Sequence, residues 1–130
     1  MLKTICTDLE TSKKLKELGF DDSKSEFVYW NNEPCYYHSL PFFEIARIND
    51  LITCYTLEEV LSELPKSFRS SGLWYTLNFD YTEECIEYKW TSDEEHTTDK
   101  IYIYQLRDTT DNWATTAARL WIQLKESEIV

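Results

Sequence analysis

Residues 73–107 alternate between apolar and polar side chains with a period of two, and this alternation constrains the fold more than any other feature. Three segments carry it: LWYTLNFD (73–80), EECIEYKW (83–90) and KIYIYQLR (100–107). A period of two is that of a β-strand that packs one face and wets the other. The four-residue link 80–83 has the length of a hairpin loop, and a longer acidic loop precedes the third segment. The pattern therefore predicts a three-stranded antiparallel meander.

The first amphipathic helix is marked at both ends by the sequence TSKKLKELGF. Thr11 or Ser12 is its predicted N-cap, and Gly19 takes the position after the helix where left-handed backbone geometry is common. Leu15 and Phe20 then have the spacing of the hydrophobic pair in a Schellman motif. The helix is therefore expected to end before Gly19 and to direct Leu15 and Phe20 toward a core.

Two further helices carry equally explicit signals. In YTLEEVLSELP, Thr56 and Glu59 predict a capping box, and Pro65 stops the helix. In WATTAARLWIQLKE (113–126), apolar side chains recur at helical spacing, and Asn112 is the predicted N-cap. Each helix is therefore predicted to bury one face.

The region between the first two helices predicts short strands. Residues 25–40 form a predicted hairpin, in which SEFVYW and CYYHSL are the strands and NNEP is the turn. The next segment is predicted to be extended around Phe42–Ile48, to turn at Asn49–Asp50 and to form a short strand at Leu51–Cys54. The element order is then α-β-β-(β)-α-β-β-β-α. We expect a single α+β domain over residues 1–130, with a mostly antiparallel, twisted sheet of four to five strands and three helices.

The net charge of −11 is concentrated in one region. Residues 80–99 hold eight acidic side chains and one basic side chain, Lys89. Nucleic-acid binding requires a basic face, so this distribution argues against a nucleic-acid partner. Two interpretations are open: a solvated edge that keeps the protein soluble, or a surface that meets a basic partner.

Length and hydropathy predict the number of domains and the cellular location of the chain. A chain of 130 residues has the length of one domain, and a domain of that size buries a core without disulfides or metals. The sequence MLKTICTDLETSKK lacks the apolar stretch of a signal peptide, and no window approaches the ~18 apolar residues of a membrane helix. We therefore expect a cytoplasmic protein that has no membrane partner.

Cysteine and histidine are the residues most open to a chemical interpretation. The four cysteines lack the close pairs of structural zinc sites. Cys35 and His38 are three positions apart, and on a strand they point to opposite faces. Glycine-rich phosphate-binding motifs are missing from the sequence. We therefore expect four reduced thiols that pack mostly as small hydrophobes, and no catalytic, cofactor-binding or metal-binding residue; an enzyme is the least favoured class.

Aromatic side chains make up 15% of the chain, and many fall on the predicted strands. Because each strand has two faces, one core cannot take them all. The remainder fit half-buried packing, a protein interface or a small-molecule pocket. We expect a protein-interaction surface on one sheet face beside the acidic region. Its candidate residues are Trp74, Trp90, Tyr102, Glu83, Glu87, Asp93, Glu94 and Glu95.

Three phrases, taken in order, resemble a group of short uncharacterised proteins encoded by bacteriophages and prophages. They are TSKKLKELGF, which an aromatic strand with Trp30 follows, then YTLEEVLSELP, then DNWATTAARLWIQLKE, and together they cover about a quarter of the chain. Trp113 departs from the group's pattern, because proline is expected at that first helical position. The resemblance implies no site residue.

The resemblance does imply a setting, the cytoplasm of a bacterial host. There we expect a non-enzymatic acidic protein-interaction module that binds an unknown host or phage protein, and self-association as a homodimer through the same face is a subsidiary version. The alternative is a small-molecule-binding or nucleotide-sequestering protein with an aromatic pocket.

Overall fold

The strands of the computed structural model form two antiparallel sheets. The residues that the structure describes are 2–23, 25–40, 51–92, 97–106 and 111–130. Within them lie the helices α1 (Leu2–Ile5), α2 (Leu9–Glu17), α3 (Leu57–Glu63) and α4 (Trp113–Glu126), and a 3-10 helix at Tyr37–Ser39. The strands are β1 (Phe27–Trp30), β2 (Glu33–Tyr36), β3 (Ile52–Cys54), β4 (Ser67–Ser70), β5 (Leu73–Asp80), β6 (Cys85–Thr91) and β7 (Thr98–Gln105).

The α+β class is confirmed, with its antiparallel pairing and its three main helices, which the one-turn helix α1 precedes. The strands are divided, however, between a sheet of order β2-β1-β3 and a sheet of order β4-β5-β6-β7, where one sheet of four to five strands was expected. Period-two alternation shows that a strand has a packed face but does not show which strand it pairs with. In the structure β1 of the hairpin also pairs with β3, whereas β5 of the meander pairs with β4.

α2 begins earlier than the sequence pattern predicted. Its N-cap is Asp8, whose carboxylate accepts the amide hydrogen of Thr11 at 2.8 Å, so the prediction of Thr11 or Ser12 was wrong. The hydroxyl of Ser12 lies 2.6 Å from that of Thr7 and donates to the carbonyl of Asp8 at 2.7 Å. Three residues of capping type lie within five positions here, and Asp8 caps the helix while the hydroxyl of Ser12 contacts Thr7 and Asp8.

The other predicted helix signals are confirmed. Gly19 has φ of 78°, and the amide of Phe20 donates to the carbonyl of Leu15 at 3.0 Å, as in a Schellman motif. At α3, Thr56 and Glu59 form the capping box, and the Glu59 carboxylate accepts the Thr56 amide hydrogen at 2.8 Å. These helices therefore begin and end where local sequence directs them.

The N-terminus of α4 is tied to that of α2. Asn112 is the N-cap, as predicted, and accepts the amide hydrogen of Thr115 at 2.8 Å. The Thr115 hydroxyl accepts the amide hydrogen of Asp8 at 2.9 Å. Arg119 lies 2.8 Å from the carboxylate of Asp111 and 3.6 Å from that of Asp8. Across the described residues, no helix is long and apolar enough to cross a membrane.

Two hairpins turn through pairs of left-handed residues. Asn31–Asn32 joins β1 to β2 with φ of 53° and 63°, and Ser71–Gly72 joins β4 to β5 with φ of 52° and 82°. Positive φ at both positions is type I′ geometry, which matches the twist of the flanking strands. The NNEP turn is therefore confirmed in its first half, but Pro34 belongs to the edge strand β2, and the strand predicted over 35–40 ends at Tyr36.

The remaining strand predictions are close to the structure. β5 has the predicted bounds, β6 and β7 are displaced by one or two residues, and the strand predicted at Leu51–Cys54 is β3. The segment predicted as extended at Phe42–Ile48 and the turn at Asn49–Asp50 lie outside the described residues. β4 was not predicted, because a four-residue edge strand with one inward aromatic side chain, Phe68, carries little alternation.

The main core lies between the inner face of the larger sheet and helices α2, α3 and α4. Each of these elements contributes at least one side chain with no exposed surface. They are Leu15, Val60, Ile86, Tyr88 and Leu120. A smaller cluster of Val28, Leu40 and Leu51 packs against the smaller sheet. The inner face of the larger sheet is therefore packed against helices. Among the described residues, no helix contributes core side chains to its outer face.

Candidate functional site

The predicted interaction surface is divided between the two faces of the larger sheet. The four-residue loop between β5 and β6 pairs Asp80 with Cys85, so even-numbered positions of β5 share a face with odd-numbered positions of β6. Trp74 therefore lies on the outer face, where 60% of it is exposed, and Trp90 lies on the inner face and packs against the core. The expectation that both tryptophans lie on one exposed face was wrong.

Tyr102 and Glu87 also differ from the prediction. Tyr102 has φ of 52° beside a register shift between β6 and β7, and its ring lies 5.9 Å from that of Phe68 at the core. The shift rotates Tyr102 out of the simple alternation. Glu87 is 1% exposed, whereas Glu83 is exposed in the β5–β6 loop. Asp93–Glu95 lies outside the described residues.

A different group of aromatic side chains lies where the β5–β6 loop meets the first residue of α4. The rings of Phe79 and Tyr81 stack with centroids 6.0 Å apart and planes 17° apart. Each of these rings lies 5.6 Å from the ring of Trp113. Tyr81 is 73% exposed. Such a tyrosine, supported from behind by two packed rings, has the residue type and rigidity of an interface hot spot.

An apolar groove of about 600 Å³ adjoins this cluster. Trp113 forms part of its wall, with Ile5 of α1, Leu57 of α3 and Leu106 after β7. Ile5 is 44% exposed, although burial of an isoleucine side chain is favourable. We use the name aromatic groove for the lining residues Ile5, Leu57, Leu106 and Trp113 together with Phe79 and Tyr81, whose rings pack against Trp113 beside it.

Acidic side chains lie at the rim of the aromatic groove. Glu58, in the first turn of α3, lines it and is exposed. Glu83 and Glu84 are exposed in the loop that carries Tyr81, and the Glu84 carbonyl accepts the amide hydrogen of Leu106 at 2.9 Å. Because exposed charges act over several ångströms, this rim favours cationic segments near the groove.

A larger cavity of about 790 Å³ lies between the end of α2 and the smaller sheet. Two of its aromatic lining residues, Phe20 and Tyr55, pack edge to face at 4.6 Å and are buried in the core. Tyr37 is the half-buried aromatic residue of the lining. Among the described lining residues, the charged ones are Lys16 and Asp21–Asp22. A phosphate group would therefore meet two carboxylates and one ammonium group.

Three potential ligand atoms converge on the outer face of the larger sheet. A carboxylate oxygen of Asp80, Sγ of Cys85 and a carboxylate oxygen of Glu87 lie within 4.8 Å of one another. Oε1 of Glu87 accepts a hydrogen bond from Nδ2 of Asn78 at 2.9 Å and lies 3.3 Å from Nζ of Lys100. Oε2 of Glu87 is buried and has no hydrogen-bond partner among the described residues. Burial, with the charges of Glu87 and Asp80, raises the pKa of the Cys85 thiol.

All four cysteines are free, as expected, and three of them are buried. Cys6 and Cys54 are 1% and 0% exposed, and their mutual hydrogen bond, together with burial, raises the pKa of Cys54. Cys35 lies on β2, whereas His38 lies in the 3-10 helix, where its ring is 5.2 Å from that of Tyr36. The stretch around Cys35 and His38 is thus a strand followed by a helical turn, and not one strand.

Sequence reasoning did not select Tyr81, Trp113 or Asp80 as site residues. Signals for each are present in the sequence. Tyr81 is a large aromatic residue inside a hairpin loop, where neither sheet face covers it. Trp113 stands at the first position of a helix, where proline is common. Asp80 and Cys85 flank a four-residue loop, whose length makes them cross-strand neighbours.

Comparison with known proteins assigns no family to the chain. No protein-family model, curated protein or solved structure matches it. A functional hypothesis is therefore argued from the geometry of the aromatic groove and of the Asp80–Cys85–Glu87 cluster.

Proposed function

We propose that the protein is a non-enzymatic, acidic protein-interaction module of bacteriophage or prophage origin that acts in the bacterial cytoplasm. Its partner is a host or phage protein that places a basic, amphipathic segment in the aromatic groove. One observation carries the proposal: the exposed ring of Tyr81 packs with Phe79 and Trp113 beside an apolar groove with an acidic rim. The proposed origin rests on the resemblance of the three helix phrases.

The groove and its rim supply different parts of the binding free energy. Tyrosine and tryptophan dominate interface hot spots because they bury a large, rigid ring, and truncation of such a residue costs about 2 kcal/mol or more. The rim acids Glu58, Glu83 and Glu84 act at longer range, so they speed and orient association and are screened by salt. A segment with apolar anchors and flanking lysine or arginine residues complements both features.

Sequestration of a small molecule or nucleotide is less well supported. The cavity of about 790 Å³ is the larger one, but the rings of Phe20 and Tyr55 are already packed against each other and have no free face for stacking. The ammonium group of Lys16 lies 3.4 Å from the carbonyl of Leu51, so it is already hydrogen-bonded. The lining therefore offers a nucleotide neither an open ring stack nor a cationic phosphate site.

The proposal is tested with one variant in the groove and one matched control. Tyr81→Ala removes the exposed ring beside the groove, and Trp74→Ala removes another exposed ring, on the outer sheet face. Proteins captured from host lysate by the wild type are identified, and the basic segment of the captured protein is titrated calorimetrically against each variant. Tyr81→Ala should weaken binding by about 30-fold, and Trp74→Ala by less than about twofold.

Three results would contradict the proposal. Undiminished binding to the Tyr81→Ala variant excludes the groove, and loss of binding in Trp74→Ala places the interface on the outer face. Affinity that does not fall as salt is raised excludes a role for the acidic rim. Light scattering adds a further check by measuring the molar mass of the wild type and of Tyr81→Ala. If the wild type is a dimer and Tyr81→Ala is a monomer, a second copy of the chain, and not a foreign segment, fills the groove.

A further inference from the structure

We propose that Asp80, Cys85 and Glu87 bind one divalent transition-metal ion of the zinc type, through two carboxylate oxygens and one thiolate. The inference does not depend on the proposed protein-binding function. It departs from the expectation of no metal site, which did not consider a cysteine together with aspartate and glutamate as ligands of one ion. Two independent observations support it: the convergence of the three ligand atoms, and a buried oxygen of Glu87 for which the described part of the chain offers no hydrogen-bond partner.

The hairpin geometry brings the ligands together. Asp80 and Cys85 are directly opposite each other at the ends of β5 and β6, and Glu87 is two residues along β6 on the same outer face. An ion at the centre of three atoms that lie within 4.8 Å of one another is about 2.8 Å or less from each, and zinc bonds to oxygen and sulfur are about 2.0–2.3 Å long. Side-chain movements of less than about 1 Å therefore complete the coordination.

Each carboxylate has one oxygen held by the protein and one directed elsewhere. Oδ1 of Asp80 accepts the amide hydrogens of Thr82 and Glu83, both at 3.1 Å. Oε1 of Glu87 accepts a hydrogen bond from the side-chain nitrogen Nδ2 of Asn78 at 2.9 Å. Of the second oxygens, Oε2 of Glu87 has no hydrogen-bond partner among the described residues, and Oδ2 of Asp80 lies 3.9 Å from Nζ of Lys100. Hydrogen bonds that fix one oxygen of a ligating carboxylate are the usual outer layer of a metal site.

The unpartnered oxygen of Glu87 calls for an explanation. Glu87 is 1% exposed, and burying a carboxylate oxygen without a hydrogen-bond partner is unfavourable. Lys100 lies 3.3 Å from Oε1 and 3.9 Å from Oδ2 of Asp80, so it neutralises one charge and leaves Oε2 unpaired. An ion at the cluster supplies the missing partner.

The ligand set selects the class of ion. Sulfur together with oxygen suits zinc and its neighbours, whereas calcium and magnesium take oxygen ligands alone. Coordination releases the proton of the Cys85 thiol to solvent. The divalent ion then offsets two of the three negative charges of the two carboxylates and the thiolate, whereas Lys100 offsets only one.

The test uses zinc and cobalt ions on the whole protein in a phosphine reductant. Zinc binding is measured by calorimetry, and cobalt binding by the absorption band of thiolate-to-cobalt charge transfer. Cys85→Ser and Glu87→Gln alter the cluster. Cys35→Ser, the half-buried cysteine of the other sheet, and Glu83→Gln, an exposed acid of the same loop, are matched controls. Circular dichroism of each variant verifies that it is folded.

The proposal requires one equivalent of ion and a charge-transfer band for the wild type. Cys85→Ser should abolish the band, and both cluster variants should weaken zinc binding at least about tenfold, while the controls stay within about twofold. The proposal is overturned by the lack of a band, by a band that survives in Cys85→Ser, or by equal affinities in cluster and control variants, which would mean adventitious binding to surface carboxylates. If Glu87→Gln fails to fold, the band in Cys85→Ser decides the outcome.

Discussion

Replacement of Arg119 by methionine should destabilise the protein through loss of one mostly buried ion pair. The guanidinium group contacts Asp111 at 2.8 Å and Asp8 at 3.6 Å, and so joins α4 to the residue before its N-cap and to the N-cap of α2. Methionine keeps the apolar stem of the arginine and removes only its charge and its hydrogen bonds. The substitution therefore isolates the electrostatic contribution at this junction.

The expected magnitude follows from the burial of the three side chains. Arg119 and Asp111 are 17% and 9% exposed, whereas Asp8 is 48% exposed. Breaking a fully buried pair costs about 3–5 kcal/mol, and an exposed pair is worth about 0–1 kcal/mol. Because the Arg119–Asp111 pair is partly exposed, we expect its loss to lower the free energy of unfolding by about 2–3 kcal/mol. A loss of that size lowers the melting temperature of a domain of this length by about 10 °C.

Urea unfolding followed by circular dichroism measures the loss, and double-mutant cycles assign it. Asp111→Asn and Asp8→Asn are each combined with Arg119→Met, because asparagine caps a helix as well as aspartate and leaves α2 intact. The coupling energy should be about 1–2 kcal/mol for Asp111 and below about 0.5 kcal/mol for Asp8. Equal couplings, or a coupling to Asp111 that high salt removes, would refute the burial argument.

Three further expectations concern single positions. Gly19→Ala should lower the free energy of unfolding by about 1 kcal/mol in urea titrations, because φ is 78° although the space beside Gly19 is open. Burial raises the pKa of Tyr88, so its contribution to stability is fully present below pH ~10 and is lost as pH rises further. The urea midpoints at pH 8 and pH 11 should therefore differ less in the Tyr88→Phe variant than in the wild type. Lys100→Gln should tighten zinc binding in calorimetry more than Lys89→Gln does, because only Lys100 pairs with Glu87.

The sequence was most informative where structure is local. The capping box of Thr56 and Glu59, the cap at Asn112 and the stop at Gly19 each involve residues no more than five positions apart, and all three are present in the structure. The strand bounds of β5 follow from alternation over eight residues. Where several local options competed, as at the start of α2, contacts with Thr7 and Asp8 decided the outcome, and propensity could not.

Features that depend on pairing between strands were predicted less well. A four-residue loop fixes Asp80 opposite Cys85, and this parity places Trp74 and Trp90 on opposite faces of the sheet. Alternation in each strand by itself does not contain that information. A bulge between β6 and β7 also changes which residues of β7 face the core, and there the ring of Tyr102 lies near that of Phe68. The predicted surface failed because it combined residues by their chemistry, without the register that decides which face each residue takes.

The β5–β6 loop carries both candidate sites, yet the two are structurally separable. Tyr81 turns toward Trp113, whose ring is 5.6 Å away, while Asp80 lies on the outer face of the sheet with Cys85. Hydrogen bonds within the loop stabilise it, since Oδ1 of Asp80 accepts the amide hydrogens of Thr82 and Glu83. Glu84, the last loop residue, has φ of 52°. An ion on Oδ2 of Asp80 leaves those contacts in place. Tyr81→Ala should therefore leave the cobalt spectrum unchanged, and Cys85→Ser should leave partner affinity unchanged. If either variant loses both cobalt binding and partner binding, the substitution disturbs the loop as a whole and the two sites are not separable.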